Sequence, residues 1–195
     1  MIKIGILGRI GSGKSYVAKK FGYPVFNADA EVAKLYNNSK SVYIKLNKKL
    51  PKYFSSYPID KKQVLNAILN NKKNFKKIIE IVHLEVRKNM KLFIKKNKKK
   101  KFVILDIPLL LENKINKKSD ILIFVQSKKQ TVMKRLIKRK NFNIKLLKKF
   151  KKIQLPLDFK KKKSHFIIKN DFTKRTVSKY IKNILKEIKK WKRWY

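Results

Sequence analysis

The segment Gly8-Arg9-Ile10-Gly11-Ser12-Gly13-Lys14-Ser15 satisfies the pattern G-x-x-x-x-G-K-[ST] in full. Each residue type in it has a physical task. Glycines let the backbone wrap tightly, so that successive N–H groups converge on phosphate oxygens. A helix start directly after the loop adds its positive dipole end. Lys14 then reaches the β- and γ-phosphates of ATP, and the Ser15 hydroxyl can ligate Mg²⁺. The alternative is an ordinary strand-to-helix turn that happens to contain glycine. Scarcity argues against it, because the chain has only five glycines (Gly5, Gly8, Gly11, Gly13 and Gly22), all near its start. Gly8, Gly11, Ser12, Gly13, Lys14, Ser15 and Tyr16 are therefore candidate ATP-binding residues.

Carboxylates are scarce too: the chain has 11 acidic residues, and two of them fall where strands should end. Asp29 follows the short run Pro24 to Asn27, and Asp106 closes Phe102 to Asp106. In a parallel sheet both belong to the carboxyl edge, which the phosphate loop shares and where ligands bind. Asp106 is a candidate Mg²⁺ ligand, directly or through water. Asp29 is a candidate general base for an attacking hydroxyl, and with Lys14 it forms the candidate catalytic pair. Either could instead cap a helix or close a turn, the role expected of Asp60, Asp158 and Asp171.

The elements that must hold these residues alternate in the α/β manner. Met1 to Leu7 reads as a strand, with β-branched Ile2, Ile4 and Ile6. Pro24 to Asn27 reads as a second strand, and Ala28 to Tyr36 as a helix. Phe75, Ile78, Ile79, Val82, Val86 and Met90 recur at helical spacing in a stretch with no strand signal. Phe102 to Asp106, Asp120 to Gln126 and His165 to Lys169 are apolar runs of the kind found in buried parallel strands. Val177, Ile181, Ile184, Leu185 and Ile188 mark a closing amphipathic helix. The expectation is a P-loop kinase fold in a single domain: a five-stranded parallel sheet flanked by helices. Its core is 1–39 and 102–195, with a helical insertion at about 40–101.

Composition bounds the function. In 195 residues there are 55 basic side chains and a formal net charge of +44. Only six of the 55 are Arg, and Ile and Asn are enriched together with Lys. A cation, an aliphatic and an amide share no binding chemistry, so the pattern fits codon bias toward adenine and thymine. Base reading and planar phosphate forks would favour Arg. No specific nucleic-acid partner is expected, although non-specific polyanion binding is. The chain has no cysteine, which excludes disulfides, thiolate metal sites and a thiol nucleophile. No apolar run is long enough to span a membrane. A cytoplasmic protein, monomeric or a small homo-oligomer, is expected.

Taken together, the motifs resemble the dephospho-CoA kinase family. The loop string is similar to that family's T-G-G-I-G-S-G-K-[ST], and Pro24-Val25-Phe26-Asn27-Ala28-Asp29 to its Pro-Val-Ile-Asp-Ala-Asp. His83-Leu84, with Arg87 following, resembles a His-Pro landmark, and Asp106 to Glu112 carries D-x-P-L-L-x-E intact. Arg135-Leu136-Ile137-Lys138-Arg139 matches R-L-x-x-R. Gln154-Leu155-Pro156 with Lys160, then Ile168-Lys169-Asn170, match the late landmarks. The resemblance implies transfer of the ATP γ-phosphate to the ribose 3′-hydroxyl of dephospho-CoA. It implies Asp29 as base and Arg135 and Arg139 as ATP-binding lid residues one helical turn apart. It also implies that Asp29, His83, Arg87, Asp106 and Leu109 bind the substrate, that the helical insertion at about 40–101 is substrate-binding, and that about 128–153 forms a lid. Departures are Arg9 for a glycine, Asn27 for an aspartate, Leu84 for a proline, Val132 for a glutamine and Ser164-His165 for Ala-Asp. Two other readings compete: another P-loop nucleoside or small-molecule kinase, and a lysine-rich nucleic-acid-binding protein with a vestigial P-loop.

Overall fold

The computed structural model describes residues 1–139 and 142–191. The chain divides into two compact units, one of Met1–Phe26 with Lys98–Tyr195 and one of Asn27–Asn97. Five strands form a single parallel sheet: β1 (Ile2–Gly8), β2 (Val25–Asn27), β3 (Phe102–Asp106), β4 (Ile121–Gln126) and β5 (Phe166–Lys169), in the order β2-β3-β1-β4-β5. Ile4 stands beside Ile104 on one side and Ile121 on the other, and Val125 beside Ile168. A strand covered on both faces reads as a continuous apolar run, and β3 is buried along its whole length.

One face of the sheet is covered by α1 (Lys14–Lys20) and, later in the chain, by the closing helix at Lys174–Trp191. Val177, Ile181, Ile184 and Ile188 of that last helix form one apolar stripe, and they pack with Val17, Ala18 and Phe21 against Ile4, Ile6, Ile104 and Ile123. The other face is met at Gly5, where a side chain would collide with Leu110. Glycine in β1 is thus a packing requirement at that point.

β3 starts at Phe102 as its apolar run suggests, whereas β2, β4 and β5 each start one residue later, for local reasons. Pro24 has no N–H to give the ladder, though its carbonyl accepts from Ile104 N at 2.9 Å. Asp120 closes a turn instead, accepting from Lys117 N at 2.9 Å and pairing with Lys3. His165 reaches Leu122 twice: its N–H donates to the carbonyl at 2.8 Å, and its Nδ1 accepts from the amide at 3.0 Å.

The second unit is helical: α2 (Ala28–Asn38), α3 (Lys40–Lys49), α4 (Lys61–Asn70) and α5 (Lys72–Lys96). α2, α3 and α4 all pack on α5, whose Ile78, Val82 and Val86 are buried. Leucine at 84 keeps the main-chain N–H that proline would lack, so α5 runs uninterrupted through His83. Asp60 caps α4 in a full capping box with Gln63.

In the first unit, α6 (Lys129–Ile137), α7 (Ile144–Lys152), α8 (Leu157–Lys162) and α9 (Lys174–Trp191) complete the chain order. Lys140 and Asn141, within the segment expected to form a lid, lie outside the described residues, as does Arg193. The loop after β3 is tied to α8 by an ion pair, Lys160 Nζ to Glu112 Oε1 at 2.6 Å, with side chains only 1% and 9% exposed. The same Oε1 accepts from Leu155 N at 3.0 Å. Removing one partner of a buried pair leaves the other charge uncompensated. Glu112→Ala should therefore lower unfolding stability by about 3–5 kcal/mol. The double replacement Glu112→Leu with Lys160→Met should recover most of that loss in urea titrations. Equal losses for single and double variants would contradict this view of the pair.

Candidate active site

The phosphate loop connects β1 to α1, and its shape is set by what surrounds it. Gly13 is the N-cap of α1 at φ +90°, a left-handed conformation, and no side chain caps the helix there. A Cβ at 13 would run into the Asn170 amide. At Gly11, a Cβ would sit 2.9 Å from Leu136 and 3.0 Å from Val132. Glycine is needed at both positions for space as well as for backbone freedom.

Within the loop, Ser12 N donates to the Arg9 carbonyl at 3.1 Å, closing the turn. The Lys14 side chain lies inside the curl, only 9% exposed. Its ammonium donates to the carbonyls of Gly8 at 3.3 Å and Arg9 at 3.0 Å. Arg9, which replaces a family glycine, thus contributes its main chain to holding Lys14. The Ser12 carbonyl accepts from Ser127 Oγ at 3.0 Å and Asn170 Nδ2 at 2.8 Å. Ser15 and Tyr16 stand in the exposed first turn of α1, with the Lys20 ammonium 5.6 Å from the Tyr16 ring centroid.

Helix α6 leans on this loop. Val132, Leu136 and Leu147 are buried together, with Ile10, Met133, Phe142 and Phe172 packed against them. Val132, where the family has glutamine, is therefore a core residue. Arg135 holds its guanidinium 4.4 Å from the centroid of the Phe172 ring. Helix α6 ends at Ile137, so Arg139 does not share a helical face with Arg135. It lies in the following turn, where its N–H donates to the Leu136 carbonyl at 3.1 Å.

At the end of β3, Asp106 is 2% exposed, and Leu109 is half-buried in the loop that follows. The Ser15 hydroxyl and the Asp106 carboxylate are hard oxygen donors of the kind Mg²⁺ takes. Among the described residues no group of three or more His, Cys, Asp or Glu could cage a metal. Two protein oxygens fit Mg²⁺ when nucleotide phosphates and water complete its coordination.

In the helical unit, Asn27 caps α2, its Oδ1 accepting from Ala30 N at 2.7 Å. Asparagine is as good an N-cap as aspartate. Asp29 is an exposed residue in the first turn of α2, directly after β2. Two residues on, Glu31 Oε1 accepts from Asn89 Nδ2 at 2.8 Å and fastens α2 to α5. His83 and Arg87 stand one turn apart on α5. Burial first, and then the positive charge of Arg87, hold the His83 imidazole below its ordinary 6.5.

Sequence reasoning passed over Ser127 and Phe172, and it took Asn170 only as a family landmark. The one available signal was the late Ile-Lys-Asn string, which carries no hint that its amide reaches the phosphate loop. Asp171, expected to serve a turn, does so, accepting from Thr173 N at 2.9 Å and Thr176 Oγ1 at 2.7 Å.

The comparisons with known proteins point in one direction. The dephospho-CoA kinase family matches residues 2–175. A dephospho-CoA kinase of Wolbachia pipientis wMel is 34% identical over 187 residues, covering 93% of this chain and 95% of that protein. Among solved structures, a protein of Thermus thermophilus superposes with a TM-score of 0.75 at 26% identity, covering 95% of this chain and 97% of its own. A dephospho-CoA kinase from Campylobacter jejuni has the same fold, with a TM-score of 0.64 at 22% identity and coverage of 95% and 96%.

His83 gives this geometry a pH signature. Because folding disfavours its protonated form, the unfolded chain binds the extra proton as pH falls through 6.5. Stability contributed by neutral His83 is complete above that value and is lost as pH falls toward the lower folded-state pKa. An NMR titration should place the His83 midpoint below 6.5, and His83→Gln should flatten this part of the stability profile. A midpoint at or above 6.5 would contradict the burial seen here.

Proposed function

Because this chain belongs to the dephospho-CoA kinase family, we propose how its own residues share the work of one phosphoryl transfer. The reaction is the ATP-dependent phosphorylation of dephospho-CoA that forms CoA. In our reading the acceptor is the ribose 3′-hydroxyl. The observation that carries the residue roles is the glycine-lined loop closed around a buried lysine, Gly8 to Ser15.

A loose phosphoryl-transfer transition state mainly requires positioning and stabilisation of spread charge. The main-chain N–H groups of the loop would cradle the β- and γ-phosphates. Lys14, held by the Gly8 and Arg9 carbonyls, would pass its hydrogen bonds to the phosphate oxygens. Arg135 and Arg139 would add positive charge from the lid side. Ser15 and Asp106 would hold Mg²⁺, which supplies charge neutralisation at the β- and γ-phosphate oxygens when bound. Asp29 would accept the proton of the attacking hydroxyl. Support for that role comes from its exposed carboxylate immediately after a strand of the parallel sheet, within a segment similar to the family's D-A-D. His83, Arg87 and Leu109 would contact the CoA precursor. A neutral His83 suits hydrogen bonding there without a second cation beside Arg87.

The setting we propose is the cytoplasm. No helix among the described residues is long and apolar enough to cross a membrane. The net charge of +44 far exceeds what two small anions require, and non-specific attraction of polyanions follows from it.

Steady-state kinetics with ATP and dephospho-CoA test these roles. Lys14→Ala and Asp29→Asn should each lower kcat by about 10²-fold or more while circular dichroism stays native. Near-normal turnover of the Asp29→Asn variant would remove Asp29 from the base role.

A further inference from the structure

The Ser12 carbonyl draws both of its hydrogen bonds from far along the chain, at Ser127 and Asn170. Both lone pairs of that oxygen are thereby engaged. The peptide unit is planar and trans, so fixing the Ser12 carbonyl also fixes the Gly13 N–H, which points the opposite way in the same plane. That peptide needs an outside restraint. Gly13 is the N-cap of α1 and has no side-chain cap of its own, and glycine accepts either sign of φ.

Asn170 is 3% exposed, and both ends of its amide are committed. Nδ2 donates to Ser12, while Oδ1 accepts from Phe172 N at 2.9 Å. A carbonyl on one side and an N–H on the other leave a single orientation of the amide. Phe172 sits at φ +70° and carries the ring that meets the Arg135 guanidinium. One buried amide thus joins the phosphate loop, the loop after β5 and helix α6.

We propose that Asn170, seconded by Ser127, is a positioning residue for the nucleotide triphosphate. It turns the Ser12–Gly13 peptide so that the Gly13 N–H faces the phosphates, and through Phe172 it sets Arg135 for the same ligand. The proposal rests on the phosphate-loop reading given above. Without the two side chains the Ser12–Gly13 peptide is free to rotate, and its N–H is lost to the cradle. The effect should fall on triphosphate binding and spare the acceptor.

Binding to the purified full chain tests this by calorimetry with Mg-ATP, with inorganic triphosphate and, separately, with dephospho-CoA. Asn170→Leu keeps the side-chain shape without polar atoms, and Ser127→Ala removes one bond with little change of volume. Asn170→Leu should weaken ATP and inorganic triphosphate in parallel, by about 10- to 100-fold. Ser127→Ala should weaken both by about 3- to 10-fold. Dephospho-CoA affinity should stay within about twofold in each, a change of under 0.5 kcal/mol. Folded variants that bind triphosphate as the wild type does, or that lose triphosphate and dephospho-CoA affinity together, would overturn the proposal. If Asn170→Leu fails to fold, Ser127→Ala decides alone. A wild-type chain that binds neither ATP nor triphosphate would overturn the phosphate-loop reading and this proposal with it. Normal wild-type binding with unaffected variants would overturn only the proposal.

Discussion

Where β1 and the loop after it lack side chains, the residues packed against them fill the space that is left. Leu110 takes the room beside Gly5, Val132 and Leu136 the room beside Gly11, and the Asn170 amide the room beside Gly13. The glycines and their neighbours are therefore one constraint seen from two sides. Adding a methyl group at these positions would displace a strand-flanking leucine, helix α6 or a buried amide. A Cβ at Gly8 would likewise meet the Val125 carbonyl, so each of the four glycines from Gly5 to Gly13 is matched by a close neighbour.

The same economy governs charge. Of 55 basic residues, Lys14 and Lys160 are the buried lysines among the described residues. Lys160 meets a carboxylate, while Lys14 has carbonyl oxygens within the phosphate loop. Burying a cation without partners costs several kcal/mol, so the rest of the load stays at the surface. The two buried cations have different consequences. Lys160 fixes the loop that carries Asp106 to Glu112, whereas Lys14 bonds the Gly8 and Arg9 carbonyls of the loop between β1 and α1. Net charge alone says nothing of this division.

Much of the architecture was legible in the order of residues. The phosphate loop, the apolar strands and the closing stripe at Val177 to Ile188 each carry a short-range pattern with one physical meaning. Strand starts were misjudged by one residue at Pro24, Asp120 and His165, where a missing donor or a side-chain bond intervenes. What composition and spacing hid are the contacts between distant polar residues: Glu112 with Lys160, Glu31 with Asn89, and Asn170 with Ser12. In a chain enriched in Asn and Lys, one more of either has no periodicity to mark it. Arg139 shows the opposite failure. Helical spacing suggested a shared face with Arg135, but the helix stops two residues short of it.

Phosphoryl transfer to dephospho-CoA, the reaction of this family, can be watched without reference to any variant. The purified chain, ATP, Mg²⁺ and dephospho-CoA can be followed together by phosphorus NMR. A new ribose 3′-phosphomonoester resonance should grow with one ADP released for each CoA formed. ATP consumption with no new phosphomonoester, or phosphate delivered only to a different acceptor, would contradict the assignment.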